Sequence, residues 1–366
     1  MPFADELMGE RVVAALTSAM RGAAPALPFT QLRSAEIAPL SLRERSDLLR
    51  DALLADVPGD YALFVATVRV AMRDAAFTGW LIWPVTSAIA LKATAEGTNE
   101  AFDDGLALLG TLTSRLSSEF AIRSLLAHDL DRSLAIIRGW TTSDDAHLRR
   151  LASEGTRPFL PWARRVPAIL ARPELTVPLL DALYRDESDY VRRSVANHVN
   201  DLARQHPELA VAATARWLAD PDENTAQLVR HALRTLIKNG NAEALSQLGF
   251  APATVDVSGL RVAAAAIQFG GTVSFSASIR NGGSESARLA VDYVMHHQKA
   301  NGTLTTKTFK LTTATLAPGE TLAIARDHSF RTITTRKYYA GEHAIGLQVN
   351  GVNLGEVAFT VLPAQD

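Results

Sequence analysis

Apolar residues recur at three- and four-residue intervals from about Glu6 to Gly249, and from about Ala251 onward they alternate with polar ones. The first pattern predicts amphipathic helices, the second half-buried strands. A helix is expected over Glu6–Met20, followed by an Ala/Pro connector ending at Pro28. Ser41-Leu-Arg-Glu44 has the form of a capping box, in which hydroxyl and carboxylate satisfy free amides at a helix start. Leu42, Leu48, Leu49, Leu53 and Leu54 continue that helix. The longest uncharged apolar run, Ala75–Leu91, is short for a membrane span and is broken by Gly79 and Pro84, so it reads as a buried helix pair.

The helices repeat. Pro173-Glu-Leu opens one, followed by an Asp-rich turn and the helix of Val191-Arg192; Pro207-Glu-Leu opens another, again followed by such a turn and Val229-Arg230. The two triplets lie 34 residues apart and the two Val-Arg pairs 38. That spacing belongs to stacked helix pairs of the HEAT/armadillo kind, whose concave face is the usual binding surface. Ile122-Arg123 and Leu148-Arg149 read as earlier, degenerate copies.

Beyond Ala251 the alternation, the Thr and Val content and the turns at Asn281-Gly-Gly, Asn301-Gly, Pro318-Gly and Asn350-Gly predict roughly seven strands. Such strands at regular spacing predict an immunoglobulin-like β-sandwich. The expected organisation is therefore mainly α: a HEAT-like solenoid over 1–252, then a small all-β sandwich over 253–366.

Composition narrows the chemistry. With no cysteine, disulfides, thiolate metal sites and thiol catalysis are excluded. A net charge of −2 gives no global pull toward nucleic acid, so only a local basic face would serve. The N-terminal residues carry acids rather than a basic-then-apolar run, which argues against a secretory signal and for a cytoplasmic protein.

The polar groups concentrate between Asp144 and Arg204. In the helix ending at Gly155, Leu148, Leu151 and Ala152 are expected to face inward, with Arg150 and Glu154 four apart on the other side and Arg157 a turn further on. Pro158-Phe-Leu-Pro161 forces an extended turn that presents Trp162, followed by Arg164-Arg165. In the next basic helix Val191, Val195, Val199 and Leu202 form the core stripe, leaving Arg193, Asn197, Asn200, Asp201 and Arg204 on the opposite side. Taken singly, each feature has a plain structural reading: a surface ion pair, a core tryptophan, a solvated face. Together they form a surface with Arg for phosphates, an aromatic for stacking and carboxylates for catalysis. No lysine occurs between Lys92 and Lys238, whereas residues 147–234 hold thirteen arginines. GC-rich codon usage is one reading of this. Arginine also makes bidentate phosphate contacts, and the region has no lysine nucleophile.

Three runs carry a resemblance: Ser118-Glu-Phe-Ala-Ile-Arg123, Leu148-Arg-Arg-Leu-Ala-Ser-Glu-Gly-Thr-Arg-Pro-Phe-Leu-Pro-Trp162 and Tyr190-Val-Arg-Arg-Ser-Val-Ala-Asn-His-Val-Asn-Asp201. With them the chain resembles the AlkC/AlkD superfamily of DNA alkylation repair glycosylases, and within it the AlkC type, over about residues 1–250. The C-terminal immunoglobulin-like domain is also what a resemblance to AlkC implies. Phe159 departs from the family run, where a basic residue is expected. The resemblance implies hydrolysis of the N-glycosidic bond of N3-alkylated bases, chiefly 3-methyladenine and 3-methylcytosine, in duplex DNA. It implies Glu119, Glu154 and Trp162 as catalytic residues, and Arg150, Arg157, Arg192, Arg193 and Asn197 as DNA contacts. No metal or organic cofactor is implied, nor any membrane partner. The expected protein is a monomer that reaches the bacterial nucleoid through DNA.

In the sandwich, Lys307 and Lys310 flank Phe309, a second DNA clamp or simply an outward-facing basic edge. The competing reading of the whole chain is a non-catalytic HEAT-type scaffold or DNA-binding protein. Such a scaffold has no need of Glu119, Glu154 and Trp162 close together; finding them apart, or buried in ion pairs, would weigh against the enzyme.

Overall fold

The computed structural model describes residues 4–334 and 336–364. It contains two compact units, residues 1–232 and 233–366.

The first unit is helical throughout. The capping box at Ser41 forms: the Glu44 carboxylate accepts from the Ser41 amide at 2.8 Å, and helix Leu42–Asp56 follows. Leu42–Asp56 packs on Ile82–Glu96, and that on Ile122–His128; Ala146–Glu154 packs on Asp189–Leu202, and that on Thr225–Ala232. The repeating helix pairs expected from the sequence thus stack in order. Pro207 opens helix Pro207–Ala219 directly, where its missing amide costs nothing. Pro173 instead opens a single 3₁₀ turn, Pro173–Thr176, which feeds Val177–Leu183.

Two expectations shift. The first helix breaks at Gly9 into Ala4–Leu7 and Glu10–Ala23, and a Cβ at Gly9 would lie 2.5 Å from the Asp5 carbonyl oxygen. The apolar run is not a helix pair: Gly79–Leu81 is a 3₁₀ turn and Ile82–Glu96 one helix, buried on most of its surface, with Pro84 in its first turn. Among the described residues no helix is long and apolar enough to cross a membrane.

Among the described residues the second unit holds eight strands: β1 (Val255–Val262), β2 (Ala266–Ile267), β3 (Thr272–Asn281), β4 (Ala287–Gln298), β5 (Leu304–Leu316), β6 (Thr321–Ser329), β7 (Gly341–Val349) and β8 (Val352–Val361). They form two sheets, β1-β3-β6 and β2-β8-β7-β4-β5, antiparallel except for β2 beside β8. The eighth strand is β2, two residues long and too short to show an alternating pattern. Val273, Phe275, Ala277 and Ile279 of β3 meet Leu289, Val291, Tyr293 and Met295 of β4 in the core, the period-two pattern expected of a sandwich. Asn350 and Gly351, both with positive φ, make the two-residue turn between β7 and β8. The predicted boundary at 252/253 lies in the loop between the last helix and β1. The compact units divide earlier, so the short helices Arg234–Lys238 and Ala242–Gln247 belong with the strands.

Candidate active site

Glu154 is the last residue of helix Ala146–Glu154, where carbonyl dipoles disfavour a negative charge. The chain compensates with donors. One Glu154 oxygen, Oε1, accepts from Arg157 Nη1 at 2.7 Å and lies 3.4 Å from Arg150 Nη2. The other, Oε2, accepts from Ser194 Oγ at 2.7 Å, and Ser194 is hydrogen-bonded to Ser153 at 2.6 Å. Arg157 reaches onward, donating from Nε to Asp201 Oδ2 at 2.9 Å. Burial opposes the charge on Arg157, yet its bonds to Asp201 and Glu154 outweigh that and raise its pKa.

Glu119 stands on the turn before helix Ile122–His128. Its Oε2 accepts from Ser117 Oγ at 2.9 Å and from Arg150 Nη1. Arg150, whose guanidinium lies 5.3 Å from the Tyr190 ring centroid, therefore bridges the two glutamates. The result is an alternating chain, Glu119–Arg150–Glu154–Arg157–Asp201, mostly out of solvent.

Three further groups hold the frame. Gly155 caps the helix, and a Cβ there would meet Ile122 Cγ2 at 2.9 Å. Buried Arg123 staples the following loop, donating to the carbonyls of Gly155 (3.0 Å), Arg157 (2.9 Å) and Arg164 (2.5 Å). Desolvation, then nearby Arg165 and Arg157, bring its pKa down to about 10, which leaves it charged at neutral pH. His198 joins Thr176 to the Ser153 carbonyl, and burial pulls its pKa down to about 4, so it is neutral.

A cleft of about 300 Å³ opens against this chain. Glu119, Glu154 and Arg157 supply its charge, and Trp80, Trp83, Phe120 and Trp162 its aromatic wall. Trp83 stacks on Phe120 with centroids 4.8 Å apart. Trp162 is 61% exposed and sits at φ +61°, a left-handed conformation that costs a bulky residue about 1–3 kcal/mol. Its carbonyl accepts from Arg43. A larger groove of about 800 Å³ along helix Glu10–Ala23 carries none of these groups.

Glu119, Glu154 and Trp162, predicted apart in sequence, thus line one cleft, and Trp162 is not a core residue. Glu154, expected on an exposed face, is only 6% exposed. Its ion pairs orient it rather than remove it, because it still lines the cleft. Two predicted phosphate contacts are corrected. Arg157 is 7% exposed with both arms committed to carboxylates, and Arg150 is held between Glu119 and Glu154. Asn200 and Asp201, expected on a polar outer side, are buried. Arg192 donates to the carbonyls of Asp186 (2.6 Å) and Glu187 (2.9 Å). Arg193 is exposed one turn from half-buried Asn197, and pairs with exposed Asp189 at 3.1 Å. Phe159 fills the place of the missing basic residue with a ring, flanked by the guanidiniums of Arg165 at 4.9 Å and Arg204 at 5.2 Å. Exposed Arg164 and Arg165 follow Trp162 after Ala163.

In the second unit Lys307 and Lys310 do not form one patch. Lys307 lies above the Phe309 ring at 4.8 Å, on the side of β5 where Phe309 stacks on Tyr293. Lys310 pairs in register with Asp292 on the other face. Burial raises the Asp292 carboxyl to about 6, with Lys310 pulling against it.

Sequence reasoning missed Trp80 and Trp83, hidden in an evenly apolar run, and Ser194, whose role depends on a contact 40 residues away.

Residues 115–238 match the family described as DNA alkylation repair enzyme, and residues 256–363 the C-terminal Ig-like domain of the family described as uncharacterised protein YhaZ. The chain is 35% identical over 251 residues to uncharacterized protein YhaZ of Bacillus subtilis, covering 68% of this chain and 70% of that one. It superimposes on the Pseudomonas fluorescens alkylpurine DNA glycosylase AlkC, solved bound to DNA containing an abasic site analog, with a TM-score of 0.78 and 35% identity. That match covers 99% of this chain and 100% of the other. A helical-repeat unit with an acidic, tryptophan-walled cleft, followed by an Ig-like sandwich, defines a DNA alkylation repair enzyme. Agreement over both units narrows the class further. The chain belongs to the AlkC-type family of DNA alkylation repair glycosylases.

Proposed function

We propose that the protein is a monofunctional DNA glycosylase that hydrolyses the N-glycosidic bond of cationic N3-alkylated bases, chiefly 3-methyladenine and 3-methylcytosine, in duplex DNA. The observation that carries this reading is the meeting of Glu119, Glu154 and Trp162 at one cleft. An N3-methylated adenine already bears positive charge and leaves without a general acid. What remains is to stabilise the positive charge of the base and of an oxocarbenium-like sugar, and to place a water. Carboxylates serve both needs. At 4 Å, opposite unit charges gain about 4 kcal/mol at an effective dielectric near 20. Realised only in the transition state, that is about a thousandfold in rate. The AlkC structure with DNA supports DNA as the partner. Exposed Arg193, with Arg192 and Asn197 beside it, is assigned to flanking phosphates, and of the two sandwich lysines exposed Lys310 is assigned to a second contact with the duplex.

Incubation with methylated duplex DNA, followed by chromatography of the supernatant, tests this. Free 3-methyladenine and 3-methylcytosine are expected, with the strand intact until alkali treatment, since the site holds no lysine to form a Schiff base. No released base would sink the reading.

Trp162→Gly separates contact from backbone. A glycine adopts φ +61° freely. The variant is expected to melt no lower than the native chain while excising about thirtyfold more slowly, the rate equivalent of a desolvated cation–π contact of about 2 kcal/mol. A lower melting temperature would show that the indole holds the loop instead.

A further inference from the structure

The two carboxylates differ in what they have left to offer. Glu154 is 6% exposed and both its oxygens accept from side chains, Oε1 from Arg157 and Oε2 from Ser194. A carboxylate so engaged is fixed in place, and taking a proton would break a bond to a donor. Glu119 is engaged on one side only. Its Oε2 accepts from Ser117 and Arg150, while its Oε1 accepts from no described residue. It also stands on a turn rather than within a helix, with a side chain 15% exposed against 8% for Glu154.

Resting on the glycosylase reading of this cleft, we infer that the roles divide: Glu119 Oε1 holds the attacking water and takes its proton, and Glu154 is the fixed anion that faces the departing cation, positioned by Asp201 through Arg157. The water oxygen bonds to the anomeric carbon as the bond from that carbon to the base nitrogen breaks. The electron pair of the broken bond goes to the base, which leaves neutral, and the water proton goes to Glu119. Asp201 does not line the cleft. It is 1% exposed, its Oδ2 accepts from Arg157 Nε at 2.9 Å, and Arg204 lies 3.7 Å from its Oδ1. It acts on the reaction through Arg157 and Glu154 and is a positioning residue.

The full-length enzyme tests the division in two ways. In single-turnover excision from methylated duplex DNA, sodium formate is expected to restore Glu119→Ala by tenfold or more. A small carboxylate can enter the open side of the cleft and take over the water. Formate is expected to leave Glu154→Ala unchanged, because what Glu154 supplies is an anion fixed in place by Arg157 and Ser194, which a freely exchanging ion does not reproduce. Should Glu154→Ala fail to fold, the near-isosteric Glu154→Gln serves the second measurement. This compares affinity for a duplex whose abasic site carries a protonated pyrrolidine ring with affinity for one carrying neutral tetrahydrofuran. The preference for the cation, a ratio that a general loss of stability does not move, is expected to survive in Glu119→Gln, to fall about tenfold in Glu154→Gln, and to fall in part in Asp201→Asn at a temperature where each variant is folded. Formate rescue of Glu154→Ala, rescue of both or neither, or an equal loss of preference in Glu119→Gln and Glu154→Gln would overturn the division. Absence of base release by the native enzyme is a different failure, and would remove the glycosylase reading itself.

Discussion

Arg157→Met is expected to destabilise the helical unit by about 3–5 kcal/mol, the usual cost of breaking a buried ion pair from one side. The arginine is 7% exposed and bonds both Glu154 and Asp201, which are 6% and 1% exposed. Methionine of similar length fills the space but donates nothing. Two carboxylates would then remain, one at a helix C-terminus and one with an oxygen, Oδ1, that already lacks a hydrogen-bond partner. Excision is expected to fail as well, because Glu154 loses the charged donor that holds its Oε1 at 2.7 Å. Arg157→Lys is expected to rescue little, since one ammonium cannot reproduce two guanidinium bonds directed at separate acids. All five tryptophans lie in the helical unit, so urea unfolding followed by their fluorescence reads this unit selectively. Arg193→Met, which breaks only an exposed pair with Asp189, is the control and is expected to cost less than about 0.5 kcal/mol. Equal midpoints for the two variants would show that the chain of acids and guanidiniums does not hold the unit together.

The failure to place Arg150 and Arg157 from sequence has a physical cause. On an isolated amphipathic helix the polar side faces water, and Arg150, Glu154 and Arg157 lie on it by spacing alone. In a stack of repeats both sides of an inner helix meet neighbours, and Ala146–Glu154 packs on Asp189–Leu202 with its polar side inward. Periodicity locates the helix but does not say which neighbour covers it. The burial of Asn200 and Asp201 follows from the same packing. Trp80 and Trp83 were illegible for the opposite reason, since a run apolar on all sides has no period to read. Lys307 and Lys310 look like flanks of one residue, yet successive β5 side chains point to opposite faces, so Lys310 leaves the side that Lys307 shares with Phe309. Features set by local chemistry were read without the fold: the Ser41 capping box, the Asn350-Gly turn, and the proline-framed loop that presents Trp162.

Acid is expected to open the sandwich before the helical unit. Three imidazoles lie buried beside one another in its core: His297, His328 and His343, with ring centroids 5.8 Å apart between the first two and 6.0 Å between His297 and His343. Both ring nitrogens of His297 and Nε2 of His328 have no hydrogen-bond partner. Desolvation, then nearby Arg336, brings His297 down to about 3 and His328 to about 4; desolvation lowers His343 as well. The unfolded chain binds protons at these histidines below about 6.5, while the folded sandwich refuses them until pH 3–4. Stability is therefore full above pH 6.5 and is lost as pH falls from 6.5 toward 4, at about 1.4 kcal/mol per pH unit for each histidine fully protonated only when unfolded. Asp292 opposes this in part. Its carboxyl is raised to about 6, so it takes up a proton more readily folded than unfolded and favours the fold as pH falls from 6 to 4. The helical unit carries a strongly depressed histidine as well, His198, whereas in the sandwich three lowered ones lie together. Hydrogen exchange read by mass spectrometry from pH 7.5 to 4.5 should show β4, β6 and β7, which carry the three imidazoles, losing protection first. His297→Phe keeps the ring and removes two unpartnered nitrogens. It is expected to stabilise the sandwich at pH 7 by about 1–3 kcal/mol and to lower the pH at which it opens. If His297→Phe opens at the same pH as the native chain, or if the helices lose protection first, the buried imidazoles are not what limits the sandwich in acid.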